Sequence, residues 1–488
     1  MLLKKAILVL AVISFLTIDA LPSAASAPYE SYTYNYYEDG VRIPAPFLPE
    51  RSVSGADLGV GDFIDPNDMY VTADGRIYIL DSGNRRIISL DKNWRLIREI
   101  TVFDNNGKED GFANPGGIFV TEDKRIFVAD TERQRIVVLT NEGELVKIIE
   151  NPESDILPQD FKFVPLKVTV DKANRVFVVA RGVFEGLMQF DENGAFIGYV
   201  GTINLTQNLW DKIWRLVATD TQKRQMRLYI PTEFVSVDID RKGFVYSTNI
   251  DLETQKPVKR LNPSGQDVLK RFGRHPVVGD VRYRVFGNNA GPSKLVDIKV
   301  LGDGMYTVLD SFRGRLFTYN DEGELLYVFG DKGTQLGTFK TPVAIEQAGD
   351  KLVVLDRGKN SITVFKPTAF GRSVHQAVRL QYNGNDAESV KAWKEALRMN
   401  ANYDIAYIGI GKAMLMEKKN KEAMEYFKLG MQRKYYSVAY KRYRREVMKE
   451  HFGTFLTVLM AAIASLAAFR LTKKWRTRRV ERREAGLY

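Results

Sequence analysis

Four aspartates occupy one position in a repeated pattern. Asp81, Asp130, Asp310 and Asp356 each end or closely follow an apolar run, and each is followed by a short polar turn and a second apolar run. A carboxylate can act as a base, a nucleophile or a metal ligand. Such work requires different residues converging on one point, whereas the same acid at the same place in successive copies is what a fold requirement produces. An Asp at a strand end can accept hydrogen bonds from the N–H groups of the turn that follows, so these four are read as structural repeat acids. The three histidines, His275, His375 and His451, fall in separate segments with no metal-ligand spacing, and cysteine is absent. A zinc site built on histidine is therefore not expected. There is no Gly-x-Ser-x-Gly and no phosphate-cradling Gly-x-x-x-x-Gly-Lys loop. No catalytic residue and no metal ligand is assigned.

The elements carrying these acids recur six times. The clearest copy spans residues 126–139, and another runs from Ile77 to Asp81 and on through Arg86, Ile87 and Ile88. Later copies are introduced by Pro165, Pro231, Pro292 and Pro342. The spacing, roughly 40 to 50 residues, falls in the range of propellers and solenoids. Each copy reads as three or four short strands separated by turn pairs such as Asp74-Gly75, Glu142-Gly143, Asn193-Gly194 and Glu322-Gly323. A single four-stranded sheet cannot bury both faces, but six arranged radially can. The expected fold is mainly β, a six-bladed β-propeller over residues 63–368.

The Pro, strand, polar turn, apolar strand ending in Ala-Asp, then Asn/Gln-x-Arg-Ile resembles the NHL-repeat family over about residues 60–365. Copy three departs with Ala180-Arg181, and copy four has Thr248-Asn249 without the following Arg-Ile. The resemblance implies an interaction platform. Some NHL-like relatives are metal-dependent lyases rich in histidine, and other six-bladed propellers are calcium lactonases with Glu, Asn and Asp at the central tunnel. Here Gln189, Glu233, Asn249 and Asp297 lie near strand starts or ends. Calcium is expected only if an enzymatic reading holds; otherwise no cofactor is predicted.

Residues 26–62 form an N-terminal arm. The alternating tyrosines of the segment Tyr29 to Tyr37 predict a strand, which is assigned to the missing outer strand of the last blade. A helical insertion near 204–228 carries Trp210 and Trp214, which either pack on the blade ends or form a partner surface. Residues 1–25 read as a secretory signal: Lys4-Lys5, an apolar run, then small residues. Residues 451–470 read as a transmembrane helix, its uncharged core at 452–469 being close to the minimum spanning length. Residues 471–488 are a basic tail, expected on the cytoplasmic side. The chain carries 71 Lys+Arg and 60 Asp+Glu, a net +11. Of these, 25 basic and 11 acidic residues lie beyond residue 370, so the propeller region is slightly acidic. That distribution argues against nucleic-acid binding and for attraction to anionic lipid around the span.

Residues 369–450 switch to helical spacing. Trp393, Ala396 and Leu397 share a face, and a shift of 33 residues pairs Trp393 with Tyr426, Ala406 with Ala439 and Tyr407 with Tyr440. This segment resembles tetratricopeptide (TPR) repeats, which implies a second interaction platform. Tyr435 and Tyr436, set among basic residues, are offered as a partner surface or as interfacial anchors. The expected function is a single-pass, membrane-anchored scaffold facing out of the cytoplasm. It would bind protein partners in the cell envelope, for example in nutrient uptake. A metal-dependent hydrolase and a glycan-binding module are the alternatives.

Overall fold

The computed structural model describes residues 27–201, 233–250, 256–284, 286–287 and 290–486. The signal segment and the 204–228 insertion, with Trp210 and Trp214, lie outside the described residues. The chain divides into two compact units, residues 1–372 and 373–488.

The first unit is a six-bladed β-propeller. Its innermost strands are Asp68–Val71, Gly117–Val120, Pro165–Val170, Phe234–Ile239, Leu295–Gly302 and Pro342–Ala348. Each lies against the next, and the sixth lies against the first, closing the ring. Each leads into an antiparallel second strand: Ile77–Asp81, Ile126–Asp130, Val176–Ala180, Val245–Asn249, Met305–Asp310 and Lys351–Asp356. Except in blade 4, where Val245–Asn249 turns polar at Ser247, these second strands are mainly apolar because both faces are covered by neighbouring blades; all five residues of Ile126–Asp130 are buried. The outer strand of blade 1 is open to one side, and the first four residues of Leu96–Ile100 are exposed. The apolar core accordingly lies between blades. Leu80 and Ile87 of blade 1, for example, pack in one cluster with Val128 and Val137 of blade 2.

Closure differs from the sequence expectation. The outer strand of blade 6 is Phe47–Ser54, paired antiparallel to Ser361–Pro367. The tyrosine segment does form a strand, Tyr32–Tyr34, but it pairs with the outer strand of blade 5, Leu325–Phe329. With Gly40–Arg42 it makes that sheet six-stranded. Buried Asp280 fixes it there, accepting the hydroxyls of Tyr32 and Tyr34 (Oη–Oδ1 2.9 Å for Tyr34) and pairing with Arg315 Nη1 at 2.6 Å.

The second unit is helical. Helix α1, Ala369–Tyr382, begins within the last residues of the first unit; α2 spans Asp386–Met399, α3 Asp404–Met416, α4 Asn420–Leu429 and α5 Arg433–Glu484. From α2 onward each helix packs on the next. The aromatics that enter this packing are Trp393 and Phe427, 34 residues apart, each resting on a glycine of α3. A Cβ on Gly409 would sit 2.3 Å from Trp393 Nε1, and one on Gly411 2.7 Å from the Phe427 ring. Helix α5 has 52 residues, about 78 Å at the α-helical rise. Among the described residues it is the one helix long and apolar enough to cross a membrane.

Candidate functional site at the propeller axis

The innermost strands place charged side chains around the axis. Blade 1 gives Asp68, blade 3 Lys167, blade 4 Asp238, blade 5 Asp297 and Lys299, and blade 6 Glu346. All of them are largely buried. Lys167 Nζ lies 2.5 Å from Asp68 Oδ1. Lys299 Nζ bridges two blades, 3.4 Å from Asp238 Oδ1 and 2.9 Å from Glu346 Oε2, with the Tyr70 ring centroid 5.2 Å away.

The remaining carboxylate oxygens staple one blade to the next. Asp68 Oδ2 accepts the Ile118 N–H at 2.9 Å, Asp238 Oδ2 that of Val300 at 2.8 Å, and Asp297 Oδ2 that of Ile345 at 2.8 Å. Ser236 Oγ donates to Asp297 Oδ1 at 2.6 Å. Blade 2 contributes glycine instead of charge. A Cβ on Gly117 would fall 2.6 Å from the Leu166 carbonyl oxygen, so the missing side chain lets blades 2 and 3 close up.

Burial shifts these groups. It disfavours the charged form of Glu346, Asp238 and Asp297 and raises all three; Glu346 is lifted to about 8, with Lys299 pulling the other way. Burial also opposes the ammonium of Lys167, but Asp68, Asp297 and Glu346 outweigh it and hold Lys167 above the usual lysine range. Lys299 is held up in the same way by Asp238 and Glu346. Both lysines are therefore fixed positive charges rather than amine nucleophiles.

The calcium expected under an enzymatic reading meets a poor donor set. Calcium takes roughly six to eight oxygens at about 2.3–2.6 Å. Here two ammonium groups stand among the carboxylates, and the space between them is a cavity of about 20 Å³. Among the described residues no group of three or more His, Asp or Glu is placed to hold a metal ion.

Above this floor, at the ends where the chain enters the innermost strands, the axis opens into a mouth of about 390 Å³. All six blades line it, through Asn67, Asn114, Lys167, Val235, Ser311 and Thr341 among others.

The four repeat acids lie outside this lining, each fully buried at the end of a second strand. Each ties down the connection that enters its own blade, 15 to 17 residues upstream. Asp81 Oδ1 accepts the Ile64 N–H, Asp130 Oδ1 that of Ala113, Asp310 Oδ1 that of Lys294, and Asp356 those of Lys340 and Thr341, all at 2.7–2.9 Å. The turn that follows is also held in two cases, Phe312 N–H by Asp310 and Gly358 N–H by Asp356. Asp81 and Asp130 add ion pairs to Arg86 and Arg135 at 2.8 and 3.1 Å.

Of the four polar residues considered for an axial site, only Asp297 reaches the axis. Gln189 lies in the third strand of blade 3, and Glu233 Oε1 accepts the Gly182 N–H. Asn249 is buried at the end of a second strand. In the helical unit, half-buried Tyr435 stacks on Phe427 at 5.7 Å, and Tyr436 packs against the same core. The other axial charges were missed. Their signal was a lone charge inside the first apolar strand of a copy, as in Asp68 or Glu346.

No protein-family model matches the sequence, and a search of curated proteins found no significant match. Among solved structures, the chain is similar to virginiamycin B lyase from Staphylococcus aureus, at 11% identity and a TM-score of 0.40, over 65% of this chain and 99% of that one. It is also similar to a protein of unknown function from Bacteroides thetaiotaomicron, at 15% identity and a TM-score of 0.42, over 69% of this chain and 76% of that one. Likeness at this level assigns no chemistry, and the family of the chain is not fixed by it.

Proposed function

We propose that this chain is a membrane-anchored binding protein of the cell envelope, with the axial mouth of its propeller as the binding site. The observation that carries the reading is the floor of that mouth. Its carboxylates are already matched by Lys167, Lys299 and backbone N–H groups, which favours a rigid seat over a reaction centre. In this reading the leader is removed and α5 spans the bilayer once, leaving the propeller outside and the basic tail in the cytoplasm. The NHL-like blades and TPR-like helices then serve as two platforms, for a ligand or envelope partner and for a second protein. A glycan-binding mouth is less favoured, because among the described residues its lining carries no aromatic ring to stack on sugar.

The metal-dependent hydrolase reading draws on the axial acids Asp68, Asp238, Asp297 and Glu346 and would need the lysines displaced. The deciding experiment is a thermal melt of the full chain in detergent with calcium and then with chelator, alongside elemental analysis. A melt indifferent to both, with no stoichiometric metal, is expected. A bound ion, or a shift of several degrees reversed by chelator, would replace the binding reading with the hydrolase one.

A further inference from the structure

Hydrogen-bond donors predominate in the lining of the mouth. Lys167 offers an ammonium with three N–H donors, of which Asp68 Oδ1 is the near acceptor at 2.5 Å. Arg181 is exposed and makes no ion pair with any described residue. Arg357 pairs through Nε with Asp65 at 3.4 Å and donates from Nη1 to Asn67 Oδ1 at 3.1 Å. Asp65, the one carboxylate in the lining among the described residues, is thereby matched. Ser311 and Thr341 add hydroxyls from blades 5 and 6. Among the described residues the lining therefore carries three cations against one acid.

Deeper carboxylates offset the Lys167 part of this excess and leave Arg181 as the lining cation with no acid against it among the described residues. Asp68 faces Lys167, Asp297 is held by Ser236 Oγ and the Ile345 N–H, and Asp238 and Glu346 share Lys299. The rest of the wall is aliphatic, with Leu166, Val296 and Val343 and, among the described residues, no aromatic ring. A volume of about 390 Å³ lies in the small-molecule class of roughly 300–1,000 Å³.

We propose that the mouth binds a small organic oxyanion, a carboxylate or phosphate carried on a short polar skeleton, with its charge between Lys167, Arg181 and Arg357. The inference rests on the mouth being the binding site. It adds what the mouth selects. Arg181 supplies the charge that no described residue pairs, and Lys167 marks the depth at which the anion stops.

The test is calorimetric titration of the full chain in detergent at low ionic strength with citrate, glucose 6-phosphate and glucose. One of the two anions should bind, neutral glucose should not, and affinity should fall as salt rises. Which anion binds separates a carboxylate from a phosphate ligand. Arg181→Ala, at an exposed position the fold does not depend on, should weaken binding at least tenfold, and Arg357→Gln should weaken it too. Arg98→Ala, on the outer strand of blade 1, should leave it unchanged. Binding that ignores Arg181→Ala, or falls equally in Arg98→Ala, would overturn the proposal as surface attraction.

A photo-crosslinking residue at Thr341 in intact cells separates the two readings. Failure of both anions with a specific crosslink at Thr341 overturns the anion class and leaves the mouth as a binding face. Failure of both overturns the mouth as well.

Discussion

At the scale of single residues, the buried acids divide into two sets with different work. Asp81 and its equivalents tie a chain connection to its own blade, whereas Asp68, Asp238 and Asp297 tie one blade to the next. Asp81→Ala removes the acceptor for the Ile64 N–H and leaves Arg86, only 8% exposed, without its nearer carboxylate. Breaking a buried pair from one side costs about 3–5 kcal/mol. Glu99, 3.1 Å from Arg86, places the expected loss at the low end, read as a lowered midpoint in chemical denaturation.

Glu346 gives a pH signature. Its folded pKa, about 8, lies above its ordinary 4.5, so the folded protein holds a proton that the unfolded chain releases. Its contribution to stability is therefore fully present below pH 4.5 and is lost as pH rises through 8. Glu346→Gln should flatten that part of the stability profile, and urea midpoints measured from pH 5 to 9 check it.

The repeat acids were legible because they recur. The axial charges were not, because each occurs once, on a different blade, and convergence on an axis leaves no trace in spacing.

Elements were legible in proportion to how much of them is buried. The second strands, covered on both faces, announce themselves as apolar runs except in blade 4. Phe47–Ser54 has six of its eight residues at least partly exposed and contains Pro49, Glu50 and Arg51, so it carries no strand signature although it closes the ring. The tyrosine strand is recognisable by alternation, but its destination depends on Asp280, which lies about 250 residues away in sequence. Asp280→Ala should release that hairpin while leaving the ring closed. Faster amide exchange confined to residues 30–42 is the expected readout.

In the helical unit, Gly409→Ala sets two effects against each other. Alanine gains about 1 kcal/mol of helix propensity over glycine. The new Cβ would lie 2.3 Å from Trp393, and overpacking costs about 1–3 kcal/mol or more. Because that approach is far inside contact distance, destabilisation should win. Trp393 fluorescence during unfolding provides the measurement.

At the scale of the whole molecule, α5 runs without interruption from packed helical turns into a stretch apolar and long enough to cross a membrane. Its first turns pack on α4, with Ala439 fully buried. Residues 452–469 are then uncharged and exposed on every side, about 27 Å of helix against a hydrocarbon core of about 30 Å. Leu459→Arg, near the middle of that stretch, adds about 2.5–3.5 kcal/mol to insertion. The variant should shift from the membrane fraction toward the carbonate-extractable one.

The sheet of blade 6 also sets a timetable. Phe47–Ser54 is the third strand among the described residues, and its lateral partner among them, Ser361–Pro367, comes some 300 residues later. At about 5–20 residues per second the earlier strand waits for tens of seconds with its edge unpaired. Until the later strand arrives the molecule is an open arc, and open strand edges are where chains find the wrong partner. The last strand made therefore acts as a latch, and any lesion that delays or truncates it leaves five otherwise correct blades exposed to aggregation.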